Sequence, residues 1–486
     1  MIEIKELSTG YIIPKVNGLK YWSLINFFTT TNVRTKEQYQ FGLVEDEDSY
    51  RIGKISRDQL TQLMNGIEFS IKKLGYTDAG KLSAKMTMKN PPKNDIQEEV
   101  IQNVVNTFKE DERCIISLPT GQGKTYVATN IMSRMNTPTF VFVKSIALRD
   151  QWIKSFRTHS NLRLENIAMI TGSSDLVSIL ESGITYDVII STHASVQSFI
   201  KLVGMREFNR LLMIQKIGLK IFDEFDLETL STFNIETHTS VKHTLYLSAT
   251  DYKSRQEDKI FQSIYGYLNN FGKEYDIKPK RNALFIIYNS RPDRKTFGKC
   301  FSYSKDGFVF DYHKYHKYMV DHKTYVSGLK YLWDKSLKDK FYNKEQYMKT
   351  VFFIGRKTTA EEFRKSISKI FDVDIKYISI LNSDIPQKDR EKNKEYKLIV
   401  STSDSLGRGI DLKDLDVVVD LETRASFSVT TQVIGRVSRT GAKQPGLYVN
   451  FVDTAFQTVT RNFNFKVEKG LYDQLFTTMK VLKLDK

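Results

Sequence analysis

"IISLPTGQGKTYVATN", residues 115–130, combines a short apolar run, a glycine-bearing loop and a helix-forming tail. Gly121 and Gly123 allow the backbone to bend so that successive N–H groups point at phosphate oxygens. Lys124 can then reach the β and γ phosphates of a nucleotide, and the Thr125 hydroxyl can hold Mg²⁺. The positive end of the following helix favours the same anion. This stretch therefore predicts a nucleotide-phosphate site between a strand and a helix.

A second stretch, "KIFDEFD" at residues 220–226, is an apolar strand that ends in acids. Asp223 lies 99 residues after Lys124, which leaves room for the intervening strands of one lobe. We expect Asp223 to bind Mg²⁺ through water and Glu224 to polarise the attacking water. A pair of acids after a strand is often simply solvated, so the prediction of hydrolysis depends on its combination with the glycine loop.

The charge balance favours a polyanionic partner. The 486 residues include 73 Lys and Arg against 57 Asp and Glu, a formal net charge of +16. Lys and Arg displace counterions from phosphates, so nucleic acid is the expected partner, and a merely basic protein is the alternative. The two cysteines, Cys114 and Cys300, form no disulfide framework and fit a reducing compartment. We expect a cytoplasmic protein, because no signal peptide and no run of roughly 20 apolar residues is evident.

Short β-rich runs alternate with helical stretches from about residue 89 to 272 and again after 345. Such alternation predicts parallel sheets covered by helices, and therefore an α/β fold with two lobes. We expect a small N-terminal α+β domain at 1–88, with a helical pattern over 56–75 that Ser56 caps. The first lobe is predicted at 89–272 and the second at 273–486, and the proline-containing stretch 88–95 is predicted to link the N-terminal domain to the first lobe.

The second lobe contains a basic, tyrosine-rich insertion at about 291–340. Twelve Lys and Arg residues against six Asp give this segment a net charge of +6. Its tyrosines and lysines suit contact with nucleic acid through charge and base stacking, and a solvated hairpin is the alternative. His313, His316 and His322 also lie here, but neither cysteines nor a dense acid cluster complete the four ligands of a closed zinc site.

Further motifs follow in an order that resembles superfamily 2 helicases and translocases, over roughly residues 90 to 455. "LSAT" (247–250) resembles the third motif of the family, "STSDSLGRGID" (401–411) the fifth and "QVIGRVSRTG" (432–441) the sixth. The resemblance implies two tandem RecA-like lobes, hydrolysis of ATP with Mg²⁺, and movement along nucleic acid.

The resemblance also implies roles for particular residues. Gln432, Arg436 and Arg439 recur at spacings of four and three, which places them on one face of a helix. The family's arrangement makes the arginines a finger that neutralises charge on the γ-phosphate from the other lobe. The implied ATP-binding residues are Gln97, Pro119, Thr120, Gly121, Gln122, Gly123, Lys124, Thr125, Gly409 and Asp411. Thr125 and Asp223 would hold Mg²⁺, and Ser248, Ala249 and Thr250 would couple hydrolysis to strand movement.

Nucleic-acid contacts are implied by position in the family. They would be made to the sugar-phosphate backbone, which carries no sequence information and suits a motor that steps along any sequence. The candidates in the first lobe are Lys144, Ser145, Arg149, Thr171, Gly172, Thr192 and His193. Those in the second lobe are Gly355, Arg356, Lys357 and Thr402.

Two motifs of this chain differ from those of the best-known helicase subfamily, and the differences indicate which subfamily it resembles. RNA-remodelling DEAD-box proteins carry Asp-Glu-Ala-Asp and a sixth motif opening with His-Arg, whereas this chain has "DEFD" and "TQVIGR". It is more similar to the DNA translocases, including RecG-like and UvsW-like branch-migration helicases of bacteria and phages. This similarity implies a phage-encoded DNA helicase that remodels forks or Holliday junctions in recombination, repair or replication. An RNA helicase and a non-enzymatic nucleic-acid-binding protein are the alternatives.

Overall fold

The architecture is that of a computed structural model of the full chain. The described residues are 1–31, 38–76, 78–119, 122–237, 239–248, 262, 264–272, 281–304, 307–319, 322–343, 349–382, 384–402, 415–424, 426–437 and 445–484. By its internal contacts the chain divides into two compact units, Met1–Tyr275 and Asp276–Lys486.

The N-terminal part of the first unit is a sheet with two short helices. Its strands are β1 (Ile2–Leu7), β2 (Gly10–Pro14), β3 (Thr29–Thr31), β4 (Gln38–Gln40), β5 (Leu43–Glu45), β6 (Ser49–Gly53) and β7 (Phe69–Lys73), and its helices are α1 (Trp22–Phe27) and α2 (Arg57–Met64). The five-stranded sheet has the order β5-β6-β2-β1-β7, and β3 pairs with β4 separately. The β1–β7 pair is parallel and the other described pairs are antiparallel.

The predicted helix over 56–75 is correct at its start and wrong at its end. Ser56 caps α2 by accepting a hydrogen bond from the Gln59 N–H, at 3.1 Å. The helix then stops because Asn65 and Gly66 adopt the left-handed backbone conformation, at φ 46° and 83°. The remainder becomes β7, since pairing with β1 satisfies its backbone groups.

The rest of the first unit is a parallel sheet covered by helices, as expected. The strands are β8 (Arg113–Ser117), β9 (Thr139–Val143), β10 (Ile167–Met169), β11 (Val188–Thr192), β12 (Leu219–Asp223), β13 (His243–Ser248) and β14 (Asn269–Phe271). The helices are α3 (Asp95–Glu110), α4 (Lys124–Met135), α5 (Ile146–His159), α6 (Ser173–Ser182), α7 (His193–Val203), α8 (Met205–Ile214) and α9 (Thr229–Thr237), with 3-10 turns at Leu164–Asn166 and Phe225–Leu227. The strand order is β10-β11-β9-β12-β13-β8-β14. All residues of β8, β9, β11 and β12 are buried, as the apolar runs predict.

The second unit has the same architecture. Its strands are β15 (Arg281–Tyr288), β16 (Phe301–Ser304), β17 (Gly307–Phe310), β18 (Lys349–Ile354), β19 (Ile378–Leu381), β20 (Leu398–Thr402), β21 (Leu415–Asp420), β22 (Gly446–Asp453) and β23 (Thr478–Leu484). The helices are α10 (Arg294–Lys299), α11 (Tyr312–Met319), α12 (Lys323–Leu332), α13 (Lys338–Tyr342), α14 (Ala360–Phe371), α15 (Gln387–Asn393), α16 (Phe427–Gly435), α17 (Gln457–Glu468) and α18 (Leu471–Leu475). A π-helical turn lies at Trp333–Leu337, and 3-10 turns lie at Lys357–Thr359 and Ile375–Tyr377. The parallel sheet has the order β19-β20-β18-β21-β22-β15-β23, and β16 and β17 form a separate hairpin.

The second sheet begins earlier than the sequence pattern suggests. β15 precedes the basic insertion, so the insertion lies between two strands of one sheet. Most of this segment is structured: Tyr315, His316 and Met319 of α11 are buried, and Tyr325 and Leu329 of α12 join the core. Its tyrosines are therefore divided between core positions and surface positions.

The N-terminal sheet packs on the first lobe around Phe233 of α9. The phenyl ring fills the space above two glycines: a Cβ atom built on Gly42 or Gly53 would lie 2.1 Å or 2.3 Å from ring carbons of Phe233. Arg51 donates a hydrogen bond to the Thr237 carbonyl at 2.8 Å, and Ser8 donates to the Val241 carbonyl at 2.9 Å. The N-terminal sheet is thereby fastened to the segment that follows the acidic motif.

Candidate functional site

The glycine loop joins β8 to α4, as predicted. Gly123 caps the helix with φ 81° and ψ 34°, a conformation that favours glycine. Lys124 is the first helical residue, and its Nζ donates a hydrogen bond to the Leu118 carbonyl at 2.8 Å. Thr120 and Gly121 lie outside the described residues. The 12-residue helix therefore presents its N-terminus and a lysine at the carboxyl end of β8, an arrangement suited to phosphate.

Gln97, which is predicted to lie near the adenine base, hydrogen bonds to the glycine loop. Its side chain is 4% exposed; Oε1 accepts from the Lys93 N–H at 2.9 Å and Nε2 donates to the Gln122 carbonyl at 2.8 Å. A Cβ atom on Gly123 would lie 2.7 Å from Nε2, so this residue must be small. Gln97 thus positions the loop, and its contact with adenine stays a prediction.

The acidic motif reaches the same edge of the sheet. In the parallel pairing, Asp223 of β12 is opposite Leu247 of β13, and Ser248 of β13 is opposite Ser117 of β8. Burial raises the pKa of Asp223, and the positive charge of Lys124 is one of the influences that oppose this rise. Lysine, carboxylate and Ser248 therefore converge, whereas Ala249 and Thr250 lie outside the described residues.

Asp223 has a hydrogen-bond partner that the sequence interpretation missed. The indole Nε1–H of Trp152, on α5, donates to Asp223 Oδ2 at 2.7 Å, and both residues are buried. Burial raises the pKa of Asp223 above its ordinary value, and the hydrogen bond from Trp152 opposes that rise. Trp152 and Asp223 are 71 residues apart, a separation that leaves no local signal in the sequence.

Glu224 adopts the left-handed conformation, with φ 51° and ψ 40°. This conformation costs a residue with a side chain about 1–2 kcal/mol, and such strain concentrates at functional sites. The next residue, Phe225, is fully buried, so the chain must turn sharply to place it in the core.

The donor set of the predicted Mg²⁺ site fits that ion. A carboxylate from Asp223 and a hydroxyl from Thr125 are the oxygen ligands that Mg²⁺ prefers, and it usually keeps several waters beside them. Within the described ranges, no group of three or more His, Cys, Asp or Glu side chains could by itself hold a metal ion. His316 of the insertion is 4% exposed and lies 3.9 Å (Nε2 to Oε1) from Glu422, in the protein core.

Several nucleic-acid candidates of the first lobe cluster where β9 and β10 end. Ser145 caps α5 by accepting from the Leu148 N–H at 3.3 Å. Arg149 donates to the Ile170 carbonyl at 3.0 Å and to Thr171 Oγ1 at 3.1 Å. Lys144 (Nζ) lies 3.9 Å from Glu228 and is partly exposed. These residues form a surface at which a phosphate backbone could be bound.

The remaining first-lobe candidates divide into accessible and buried residues. The N–H groups of Thr171 and Gly172 both donate to Asp175 Oδ2, at 2.6 and 3.2 Å. Thr192 is 6% exposed and accepts from the Ser195 N–H, and His193 is 4% exposed and hydrogen bonds through Nδ1 to Ser231. Burial leaves the side chains of Thr192 and His193 little surface for contact with nucleic acid, and a contact through the backbone N–H groups of this segment stays a prediction.

In the second lobe the predicted contacts also meet at one edge. Ile354 of β18 is opposite Thr402 of β20, so Gly355 follows directly beside Thr402. A Cβ atom on Gly355 would lie 1.9 Å from Glu422 Oε1, which explains the glycine. Arg356 and Lys357 are exposed, and Lys357 pairs with Asp384. Thr402 is 6% exposed, so Arg356 and Lys357 are the accessible candidates.

The sixth-motif residues are only partly described. α16 begins at a cap by Ser426, contains Gln432 and ends at Gly435, so Arg436 is its C-cap rather than a helical residue. This corrects the predicted common helical face, because the helix stops before Arg439. Arg439, Gly409 and Asp411 lie outside the described residues.

Buried Arg281 on β15, which sequence reasoning missed, holds this helix end. Its Nε donates to the Val437 carbonyl at 2.7 Å, and its Nη2 donates to the Gly435 carbonyl at 3.4 Å. Burial lowers the pKa of Arg281 to about 10. A lone arginine in an apolar strand, 154 residues from Gly435, gave no sequence signal for this role.

The two parallel sheets and the convergent lysine and acid define a two-lobed nucleotide-binding protein of the RecA-like type. Residues 91–253 match the family described as "Type III restriction enzyme, res subunit", and residues 333–441 match the "Helicase conserved C-terminal domain". The chain belongs to the superfamily 2 helicases, with two RecA-like lobes.

The individual proteins that this chain matches are only distantly similar to it in sequence. "Putative helicase 161L" of Invertebrate iridescent virus 6 is 26% identical over 243 residues, 49% of this chain, and the chain spans about half the length of that relative (51%). Dbp5 of S. cerevisiae, solved with RNA and ADP BeF3, is 16% identical with a TM-score of 0.52, covering 80% of this chain and 89% of Dbp5. The ATP-dependent Type ISP restriction-modification enzyme LlaBIII, solved with DNA, is 16% identical with a TM-score of 0.54, covering 82% of this chain and 32% of LlaBIII.

The structure of T4 UvsW aligns over 99% of this chain and 100% of its own at 14% identity. Its TM-score of 0.35 is too low to support a particular relationship. In the part of the chain that the structure describes, no helix is both long and apolar enough to cross a membrane.

Proposed function

We propose that this protein is an ATP-dependent DNA helicase or translocase that remodels branched DNA, such as forks and Holliday junctions. The observation that carries the proposal is the convergence of Lys124 and Asp223 at the carboxyl edge of the first sheet, beside Ser248. ATP hydrolysis in such proteins drives closing and reopening of the lobes, and alternating grip advances the nucleic acid.

Each residue of the site has a chemical task in this proposal. Lys124 exchanges the Leu118 carbonyl for the β and γ phosphates of ATP, and the helix N-terminus supplies N–H donors. Asp223 and Thr125 hold Mg²⁺, which when bound neutralises charge on the phosphates. Glu224 orients the attacking water and accepts its proton.

The other lobe and the accessory parts complete the proposal. Arg436 and Arg439 act as the arginine finger, which makes hydrolysis depend on lobe closure. Lys144, Arg356 and Lys357 are the accessible contacts to the phosphate backbone, and Arg149, whose side chain is 13% exposed, is a less accessible one. The N-terminal domain, residues 1–88, engages the branch point, while 89–272 and 273–486 are the motor lobes.

DNA is favoured over RNA by the motifs "DEFD" and "TQVIGR", which depart from the RNA-remodelling pattern. The proposal extends to a phage-encoded enzyme of recombination, repair or replication that works in the cytoplasm of the infected cell. Two free, buried cysteines, Cys114 and Cys300, fit such a reducing compartment.

The test is phosphate release in the presence of forked DNA, four-way junctions, linear duplex, single strands and RNA. We expect the strongest stimulation by branched DNA, and Lys124→Ala should lower turnover at least 100-fold because the phosphate loses its cation. Lys201→Ala, an exposed lysine at the end of α7, is the matched control. Stimulation by RNA alone would favour an RNA helicase, and binding without turnover would favour a non-enzymatic protein.

A further inference from the structure

The β16–β17 hairpin carries two large, solvent-exposed aromatic side chains. Tyr303 and Phe308 are directly opposite each other in the antiparallel register, with ring centroids 5.7 Å apart. They are 80% and 76% exposed, and neighbouring Val309 is 50% exposed. Leaving this much apolar surface in water gains no folding free energy, so the pair stands out as an interaction surface.

The aromatic face of the hairpin is continuous with the core of the second lobe. Phe301 and Phe310, two residues further from the turn, share the face of Tyr303 and Phe308. The ring of Phe310 lies 5.1 Å from that of buried Phe456 and 5.8 Å from that of Phe301. The base of the hairpin is therefore packed against the core, while the outer pair, Tyr303 and Phe308, stays exposed. Because the hairpin is already held in place, few further side chains would lose conformational freedom when a ligand binds.

The surroundings of the hairpin are basic. Arg294, Lys295 and Lys299 of the preceding helix α10 are exposed, as is Lys317 of the following helix α11. Lys314 donates a hydrogen bond to the Phe301 carbonyl at 2.9 Å, which holds one positive charge at the base. Cations flanking exposed aromatic rings match a ligand that combines negative charge with flat, apolar faces.

The other face of the hairpin meets a predicted contact loop. Ser302 and Val309 line a cavity of about 320 Å³ together with Gly355 and Arg356. Burial of Asp311, in the same wall, would raise its pKa, but hydrogen bonds from Ser302 and from neighbouring backbone N–H groups, with a smaller contribution from the charge of Arg356, lower the pKa below its ordinary value. The hairpin therefore stands beside the residues proposed to hold the phosphate backbone in this lobe.

We propose that Tyr303 and Phe308 form a stacking platform for the bases of an unpaired nucleic-acid strand, whose phosphates are held by the flanking basic residues. This inference rests on the proposed function, and it assigns to the hairpin the recognition of unpaired strand. Duplex hides its base faces except at its two ends, so unpaired strand offers the pair many more faces for stacking. Stacking on aromatic rings tolerates any base, as a motor without sequence preference requires.

A purely structural role is the competing explanation, because cross-strand aromatic pairs also stabilise hairpins. Two double variants separate these roles. Tyr303→Ala with Phe308→Ala removes both rings, while Tyr303→Val with Phe308→Val keeps β-branched, strand-favouring residues without rings. Tyr303→Phe keeps the ring and loses only the hydroxyl.

The experiment measures binding of the full-length protein to a single-stranded oligonucleotide that contains 2-aminopurine, and to blunt duplex of the same length. We expect both double variants to bind the single strand about tenfold or more weakly, with loss of the 2-aminopurine quenching that stacking causes. Duplex binding should change less than twofold, and Tyr303→Phe should bind as the wild type does.

Tyr377→Ala removes another exposed tyrosine (52% exposed) of the second unit and is the matched control. Wild-type affinity for the single strand in the Val/Val variant would overturn the platform. Equal losses for single strand and duplex would also overturn it, since they indicate a general effect on charge or folding. A wild-type protein that binds neither nucleic acid would instead refute the proposed function.

Discussion

At the scale of the residue, burial and neighbouring groups have opposing effects on the pKa of Asp223. Burial favours its neutral form, whereas the Trp152 indole and the charge of Lys124 favour the carboxylate. The carboxylate is the form that binds a metal ion. Its chemistry is therefore adjusted by a tryptophan distant in sequence, and by a glutamate neighbour, Glu224, whose backbone is strained.

Replacement of Trp152 should shift the pH dependence of ATP hydrolysis. Trp152→Phe keeps an aromatic ring but loses the donor to Asp223, so the pKa of Asp223 should rise further. Because Asp223 must be ionised, activity should then be lost at a higher pH as the solution is acidified, and turnover at neutral pH should fall several-fold. The acidic limb of kcat against pH measures this shift, with Trp333→Phe, a buried tryptophan stacked on Phe371, as the control. An unchanged acidic limb would show that Trp152 only packs.

Glu224 should separate binding from cleavage. Glu224→Gln has nearly the same volume and keeps the backbone turn, but it accepts a proton poorly. ATP affinity should stay within about twofold of wild type, while turnover falls about 100-fold or more, in the range that general-base catalysis contributes. Equilibrium nucleotide binding and single-turnover hydrolysis measure the two quantities. Rapid turnover by the variant would remove Glu224 from this role.

At the scale of the element, two helices connect the acidic motif to other parts of the molecule. Ser145 caps α5, Arg149 lies in its first turns, and Trp152 follows about one turn later. Because Trp152 donates to Asp223, this one helix connects a candidate phosphate-binding surface to Asp223. α9 begins five residues after Glu224, and Phe233 on it receives the N-terminal sheet. Both helices offer a physical route from surface contacts to the hydrolytic residues.

The packing of the N-terminal sheet on α9 should depend on volume at Phe233. Phe233→Ala empties the space between the N-terminal sheet and α9, both within the first unit, and should cost about 3–5 kcal/mol. Gly53→Ala overfills the same space and should cost about 1–3 kcal/mol, because its Cβ atom would overlap the ring. Urea denaturation measures both free energies of unfolding.

The same pair provides an internal control. Gly53→Ala combined with Phe233→Leu should be less destabilising than the sum of the two single variants, since the smaller side chain makes room for the new methyl group. Strict additivity would show that the two positions do not share this space. Gly75→Ala is the control for the glycine-to-alanine change alone, because no atom lies within 4 Å of its Cβ position and, like Gly53, it has no positive φ.

At the scale of the whole molecule, the proposed motor needs both lobes for one turnover. The first unit carries Lys124, Asp223 and Glu224, and the second carries Arg436, at the helix end that Arg281 holds. Division of the catalytic groups between two units would make hydrolysis sensitive to their closure, and hence to bound nucleic acid. The formal net charge of +16 supports the same partner.

Arg439→Ala tests whether the second lobe contributes a catalytic arginine. The variant should retain ATP affinity within a few-fold and lose turnover about 10³-fold, because an arginine finger acts mainly on the transition state. Isothermal titration with ATP and a steady-state assay with DNA give the two numbers. Arg461→Ala, an exposed arginine of α17, is the matched control, and equal losses of affinity and turnover would argue against the finger.

Prediction from sequence succeeded where the signal is local. The apolar runs of β8, β9, β11 and β12 matched buried parallel strands because such strands are apolar on both faces. It failed for three strands: β7 resembled a continuing helix, and β15 and β23 were not recognised, although residues 283–288 of β15 form an apolar run. The burial of the Thr192 and His193 side chains likewise depends on the packing of α7, which local sequence does not report.

By itself, the sequence determined the α/β lobes, the glycine loop and the acidic motif, because backbone conformation and strand burial depend on neighbouring residues. Only the tertiary structure decided that Trp152 donates to Asp223, that Gln97 braces the loop and that Arg281 holds the end of α16. These contacts join residues far apart in the chain, and side-chain hydrogen bonds between distant elements exist only after the sheet has aligned them. For the same reason, the exposed pair Tyr303 and Phe308 could be separated from the buried tyrosines of the insertion only in the folded protein.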